Sequence, residues 1–447
     1  RFTAWEREAE GDADRPLLSG PISLSECVLI GLQHNNDVRI VLEDRIQADA
    51  RIQEAWSEAL PIVELGASYT RLDRVTRTGG VQVGSKNNYA LTGSVRQPLW
   101  RGGAIGAGIR ASRLFSALVD EQVRSTLQRV IFEIRRAYLD ARLALELTKA
   151  SRRSVELATA RLEDVRRNRE VGIAADFDVL RAQVQLKNFQ AQLVQAENRY
   201  NLAVTRLLNV MNASQHSDIV PEDQLAYDPA APPEMNGAVE AAFLNNPDLL
   251  QQEYTVRVRE ELVTVEAADY WPDLDAVFSA VRSRPDPHNP ARRNSWGTAW
   301  EAALTMTWPI FQGFGTVARV HQAKVELRKS RIRLEVVEEQ ILLDLRQAIL
   351  SIQDAARFVE SQMANVEQAE EALRLVRLGR EQGVREEVEV LDAQTALDTA
   401  RANYWQAVFE HEIARLNLRK ATGALDPPEE YVPDEPEVDR FGPLLLP

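Results

Sequence analysis

The segment REVGIAADFDVLRAQ, residues 169–183, recurs 211 residues later as REQGVREEVEVLDAQ, residues 380–394. The same offset pairs positions far upstream, among them Asn35 with Asn246, Pro98 with Pro309, and Gly102 with Gly313. This register holds without a visible gap from about residue 35 to about residue 207. We therefore interpret the chain as a tandem duplication whose halves share one fold.

The duplication sets the predicted division of the 447-residue chain. A linker rich in Pro, Asp and Ala separates the two repeats, and an acidic, Pro-rich tail is expected to be irregular or disordered. The first residues do not resemble a signal peptide, so we expect either a mature exported form or a chain that is not exported. The predicted segments are an N-terminal extension (1–20), a first repeat (21–212), the linker (213–235), a second repeat (236–425) and the tail (426–447).

Each repeat contains a predicted β-hairpin, at about 62–98 and about 273–309. After Pro61 the apolar period changes from that of a helix to alternation, which is typical of strands with one apolar face. Aromatic residues lie near the strand ends, a pattern typical of membrane interfaces. The apolar face should carry Val63, Leu65, Ala67 and Tyr69 in the first hairpin, and Leu274, Ala276, Phe278 and Ala280 in the second.

A long helix is predicted after each hairpin, at about 103–171 and about 314–382. Its apolar residues alternate spacings of four and three, which favours coiled-coil packing, and about 68 residues would span roughly 100 Å. A glycine ends each long helix, and a return helix follows at about 176–210 and about 387–422. We also expect one helix from Ser23, as N-cap, to about Leu60.

Composition excludes several functional classes. The net charge is −14, so no nucleic-acid partner is predicted. The single cysteine, Cys27, permits no intrachain disulfide and is expected to be buried. Five scattered histidines and the absence of phosphate-loop or nucleophile motifs predict no metal, no cofactor and no enzymatic activity. No run of 18 apolar residues is present, so no spanning helix is predicted.

Four strands cannot close a barrel with an open lumen, and an apolar sheet with free edges is not stable alone. Closure by several copies would solve both problems. The sequence thus predicts an oligomer, although its periodicity does not set the number of copies.

Three motifs carry a family resemblance: QPLWRGG at 97–103, WPIFQGFG at 308–315, and the 380–394 segment. With the duplication, they resemble the TolC-like outer membrane factor family over about residues 21–425. The resemblance implies a mixed α and β fold, in which a homotrimer forms a 12-stranded outer-membrane β-barrel, four strands per chain, continued by a 12-helix α-helical barrel.

The same resemblance implies a function and a location. The chain would be the exit duct of a tripartite efflux pump or a type I secretion system. It would lie in outer-membrane lipid, extend into the periplasm, and work with a periplasmic adaptor and an inner-membrane transporter. The sequence does not choose between efflux and secretion, and it does not identify the transported substrate.

The resemblance also implies site residues. Adaptor docking would involve the helix turns at Gly172 and Gly383, and the channel constriction would involve two acids, Glu389 and Asp392. The gate links would be Asp178, Arg380 and Arg385.

Two positions depart from the family pattern. Arg380 stands where the family often has tyrosine, and Glu389 replaces the more usual aspartate. The acids have a simpler interpretation as solvated helix charges, and the glycines as helix stops.

One alternative function is a soluble coiled-coil scaffold in which the hairpins serve only for oligomerisation. Cell fractionation with detergent extraction distinguishes the two hypotheses, because only the duct should be recovered from the outer membrane.

Overall fold

A computed structural model describes residues 15–75, 77–78, 81–82, 85–172, 174–286, 295–385 and 387–432. The predictions for residues 1–14 and 433–447 lie outside this part of the chain. The fold has two compact units, and each takes in parts of both repeats. The first unit comprises Arg1–Glu43, Gln122–Leu249 and Glu338–Pro447; the second comprises Asp44–Glu121 and Leu250–Val337.

Helices account for most of the described chain. The long and the return helices lie within one residue of the predicted bounds at each end. None of the described helices is both long enough and apolar enough to span a membrane. The helices are α1 (Leu24–His34), α2 (Asn36–Ser57), α3 (Ala104–Glu170), α4 (Asp176–Met211), α5 (Met235–Asn245), α6 (Pro247–Ala267), α7 (Gly315–Glu381) and α8 (Glu387–Ala421).

The prediction of one continuous helix from Ser23 to Leu60 is wrong. Ser23 is the N-cap as expected, since its Oγ accepts the Glu26 N–H at 3.3 Å. However, the helix breaks at Asn35, where the backbone is extended (φ −65°, ψ 130°). The Asn35 side chain then caps α2 by accepting the Asp37 N–H at 2.8 Å, and its amide donates to Val210 O at 2.8 Å.

The second repeat reproduces this break. Asn246 accepts the N–H groups of Asp248 (2.9 Å) and Leu249 (3.2 Å) and donates to Ala421 O at 3.0 Å. In both repeats, therefore, one asparagine ends a helix, starts the next and attaches the junction to the end of the return helix.

Both predicted hairpins are confirmed, and they join into one antiparallel sheet in the second unit. Its strands are β2 (Ile62–Arg71), β5 (Asn87–Arg101), β7 (Asp273–Arg284) and β8 (Gly297–Thr307). The strand order is β2-β5-β7-β8, so β2 and β8 are its edges within the chain. The short strands β3 (Arg77–Thr78) and β4 (Val81–Gln82) follow β2 in the sequence and pair with each other in a separate sheet.

A small parallel sheet in the first unit was not predicted. It pairs β1 (Ser19–Ile22), where the predicted N-terminal extension meets the first repeat, with β6 (Asp218–Pro221) from the predicted linker. Four-residue strands that include proline give almost no signal in a sequence.

The main core of the first unit follows the predicted helical spacing. Ile131, Ile134 and Tyr138 of α3 are fully buried and pack with Leu207 of α4. Cys27 is buried in the same core, as predicted, and burial raises the pKa of its thiol to about 12. The coiled-coil pattern of α3 thus marks residues that form this core.

Candidate functional site

One face of the four-stranded sheet is apolar and exposed. Paired residues bring the apolar positions of all four strands to the same face, because cross-strand partners in an antiparallel sheet point the same way. Leu65 is 84% exposed and Trp300 is 72% exposed. The face carries Val63, Leu65, Tyr69, Leu91, Val95, Phe278, Trp300, Leu304 and Met306.

The opposite face is polar. A row of paired residues crosses all four strands from Glu64 through Ser94 and Ser279 to Glu301. Strands with one apolar and one polar face are the pattern of a sheet that separates lipid from water.

Aromatic rings lie towards both ends of the sheet. At one end the rings of Tyr69 and Tyr89 lie 4.9 Å apart. At the other end Trp100 pairs with Leu274, and Trp308 donates its indole N–H to Tyr270 O at 3.1 Å. Tyrosine and tryptophan at strand ends are typical of the two interfaces of a bilayer.

Arg101 joins the two hairpins at the Trp100 end. Its guanidinium binds Asp273 Oδ2 at 3.0 Å and Asp275 Oδ1 at 2.9 Å, and all three side chains are partly buried. Gly102 follows with φ +56°, and a Cβ there would lie 2.4 Å from Ala268 O. The QPLWRGG motif is thus explained by an ion pair and a close backbone approach, roles that we did not assign from sequence.

In the first unit, a tight turn joins α3 to α4 at Gly172. The glycine has φ +80°, which residues with a side chain rarely adopt. Arg169 Nε and Asp176 Oδ1 form a 2.5 Å ion pair across the turn, and Val171 and Phe177 are exposed beside it. The turn is therefore an exposed tip with apolar side chains.

The turn between α7 and α8 has the same backbone. Gly383 has φ +75° and donates its N–H to Arg380 O at 2.9 Å. Val384 is 76% exposed next to it. A Cβ at either Gly172 or Gly383 would meet no described atom within 4 Å, so both glycines face open space.

Two of the predicted gate residues lie together on the second turn. Arg385 Nη1 and Glu389 Oε2 form a 2.5 Å ion pair with i,i+4 spacing. Asp392, three residues further along α8, is exposed. The sequence had placed Arg385 and Glu389 in separate roles, as a link and as part of a constriction.

Asp178 has a local contact instead. Its Oδ2 accepts the Ala175 N–H at 3.0 Å, which caps the start of α4. The 211-residue offset makes Asp178 the counterpart of Glu389, and each is the third residue of its return helix. An acid at this position also favours the positive end of the helix dipole.

Arg380 is half-buried near another arginine. Burial lowers the pKa of Arg161 on α3 to about 10, and the positive charge of Arg380 adds to this effect. A neutral side chain at position 380 would carry no such repulsion. The proximity of two cations was not foreseen, because it depends on how α7 packs against α3.

Sequence reasoning also missed a polar network between the helices that lead to and from these turns. Ser154 of α3 donates to Asp398 Oδ2 at 2.7 Å, and Gln394 donates to Asp398 Oδ1 at 3.1 Å. Arg377 of α7 donates to Gln394 Oε1 at 2.9 Å. The network connects α3, α7 and α8. The only signal for it in the sequence was that Arg377 and Gln394 have identical counterparts, Arg166 and Gln183, in the first repeat.

Comparison with known proteins places this architecture in a family. The sequence model of the outer membrane efflux protein family matches residues 31–213 and 238–424. These two matches correspond to the two repeats, as expected if the family unit is duplicated. Members of this family are channel proteins.

Individual relatives agree. Outer membrane protein TolC of Escherichia coli (strain K12) is 23% identical over 402 residues, covering 88% of this chain and 80% of TolC. Alkaline protease secretion protein AprF of Pseudomonas aeruginosa is 25% identical over 410 residues, covering 87% of this chain and 83% of AprF.

The fold is that of solved channels. The open state of the Neisseria gonorrhoeae MtrE outer membrane channel superposes with a TM-score of 0.76 at 18% identity, covering 90% of each chain. Relatives of this kind are components of efflux and secretion systems, and these findings decide against the soluble scaffold. The chain therefore belongs to the outer membrane efflux protein family and is an outer-membrane channel protein.

Proposed function

We propose that three copies of this chain form one exit duct, in which 12 strands close a barrel and 12 helices form a tube. The observation that carries this proposal is the four-stranded sheet, which has an exposed apolar face and two edge strands, β2 and β8. Within the sheet all neighbours are antiparallel, so β8 of one copy beside β2 of the next would continue the alternation. The proposed role is passage of cargo, without a chemical step.

The length of β5 supports a position in the lipid bilayer. Tyr89 and Trp100 are 11 residues apart on this strand, which corresponds to roughly 36 Å of chain at about 3.3 Å per residue. Strands of such barrels tilt by about 40°, which reduces the height to about 28 Å. An apolar band of about 25 Å fits between these aromatic residues.

The helix turns are the proposed contact sites for a periplasmic adaptor, which would connect the duct to an inner-membrane transporter. Exposed apolar residues beside Gly172 and Gly383, such as Phe177 and Val384, support this assignment. Partner helices commonly dock through apolar side chains of this kind.

The proposed constriction is formed by Glu389 and Asp392. They lie three residues apart on α8, so three copies would place six carboxylates near one another. Rings of carboxylates favour cations. The Arg385–Glu389 ion pair would offset part of that charge.

Planar-bilayer recordings test the constriction. We predict that Glu389→Gln with Asp392→Asn lowers the preference for cations over anions by about threefold or more, because six carboxylates are removed per trimer. Glu410→Gln, at an exposed acid elsewhere on α8, should leave selectivity unchanged. Equal selectivity in all three proteins would refute the constriction, whereas failure of the wild-type protein to conduct would refute the duct.

A further inference from the structure

The predicted linker lies against helices through residues 222–233, here called the linker arm. Leu225 is buried with Val359 of α7 and Val408 of α8. Asp223 Oδ2 accepts the Tyr138 O–H at 2.9 Å, and Asp228 Oδ2 lies 2.6 Å from Arg415 Nη1. These contacts attach the arm to α3, α7 and α8 within the first unit.

His411 of α8 is the buried group on which this arm rests. Its side chain is 1% exposed, and its ring meets Tyr227 of the arm edge-to-face at a centroid distance of 5.0 Å. Its Nδ1 is buried and has no hydrogen-bond partner among the described residues. A buried imidazole with an unpartnered nitrogen is a costly place for a positive charge.

The twin position in the first repeat differs. Tyr200, 211 residues earlier, donates its O–H to Ile219 O of β6 at 3.4 Å. A phenol does not titrate near neutral pH. The second repeat therefore has His411, whose ring can titrate near neutral pH, where the first repeat has the hydrogen-bonded Tyr200.

We propose that His411 makes the attachment of the linker arm acid-sensitive, so that protonation of its ring releases residues 222–233 from α7 and α8. An imidazolium at this position would be buried against Tyr227 and would lie close to the Arg415 cation. Releasing the arm would expose the ring to water, which solvates its charge.

Some charged groups around His411 favour protonation of its ring, and others oppose it. On α8, Glu412 Oε1 lies 3.8 Å from His411 Nδ1 and 3.7 Å from Arg415 Nη1. Further ionisable groups face this region from every element packed here. They are Tyr227, Asp223 and Asp228 of the arm, Arg419 of α8, Glu360 of α7, and Tyr138 and Arg142, with Arg142's partner Glu146, on α3.

Burial lowers the pKa of His411, the Arg415 charge lowers it further, and Asp228 opposes them. His411 thus binds fewer protons in the attached state than in the released state, where its pKa would have the ordinary value of about 6.5. Attachment is therefore complete above about pH 6.5 and weakens as the pH falls below that value. Burial raises the pKa of Glu412, so its protonation favours attachment in acid and reduces the net effect.

Hydrogen exchange of the purified full-length protein in detergent tests the proposal. Exchange of arm peptides, corrected for the intrinsic rate at each pH, is compared at pH 5.5 and pH 7.5. We expect an increase of about threefold or more at pH 5.5 for the wild type. The increase should approach about tenfold for Glu412→Gln, because this variant lacks the opposing protonation of Glu412. About tenfold is the limit for the uptake of one proton over the one pH unit between pH 6.5 and pH 5.5.

Two variants give the controls. His411→Gln should show no increase, whereas His216→Gln, at an exposed histidine of the same linker, should match the wild type. A response retained by His411→Gln, or lost in Glu412→Gln, would overturn the proposal. If His411→Gln does not assemble, the wild-type and Glu412→Gln ratios still decide, because a flat ratio in both contradicts it.

Discussion

At the residue scale, the glycines of the two helix turns, Gly172 and Gly383, need a left-handed backbone conformation and lie in open space. Both have positive φ, and neither has described atoms near the place of a Cβ. Alanine at either position would cost about 1–2 kcal/mol from the left-handed conformation alone. Asparagine tolerates that conformation, so it can add a side chain at the tip with little strain.

This difference gives a test of adaptor docking. We predict that Gly172→Asn with Gly383→Asn weakens capture of a co-expressed adaptor by about tenfold in a crosslinking assay, with trimers intact. The added side chains would separate the docking surfaces without removing the turns. Gly237→Asn, at an exposed glycine of α5 with nothing near its Cβ, is the control; normal capture by the tip variant would show that the glycines serve only as helix stops.

The charged residues at the helix turns show which contacts can be predicted from the sequence and which cannot. Glu389 and Arg385 have i,i+4 spacing, so their ion pair was readable from the sequence. The cap at Asp178 was equally readable, since it is the third residue of its helix. The proximity of Arg161 and Arg380 was not, because it depends on helix packing rather than on spacing along the chain.

At the element scale, the apolar periodicity did not predict the helix breaks at Asn35 and Asn246. The apolar pattern continues through Asn35, so it predicts one helix. The break is stabilised by contacts with the end of α4, which are distant in sequence. The long helices were predictable because their spacing, their freedom from proline and their glycine stops all agree, and the hairpins because each was present twice.

We predict that Asn246→Ala lowers the free energy of unfolding by about 2–3 kcal/mol. The change removes the cap that the buried Asn246 side chain provides, and it leaves the part-buried Ala421 O without this donor. Chemical denaturation followed by circular dichroism measures the loss. Asn245→Ala, at the exposed neighbour in α5, should change stability by less than about 0.5 kcal/mol; equal effects from both would rule out a special role for Asn246.

At the scale of the whole molecule, one chain provides only part of the proposed duct. Its sheet has an apolar face with Leu65 and Trp300 exposed, and it ends at β2 and β8. Sequence alone indicated that copies must close the sheet. The number three entered through the family resemblance, since four strands per chain fit any closed ring of sufficient size.

The most direct test of the central claim is a disulfide scan between the two edges. In a Cys27→Ala background, which removes the only native cysteine, Ser68→Cys at an exposed position of β2 is combined in turn with Ala299→Cys, Glu301→Cys or Ala303→Cys on β8. The account predicts that at least one pair, oxidised in native membranes, gives covalent dimers and trimers and no larger species. Monomers in every pair, or a ladder that continues beyond three copies, would contradict it.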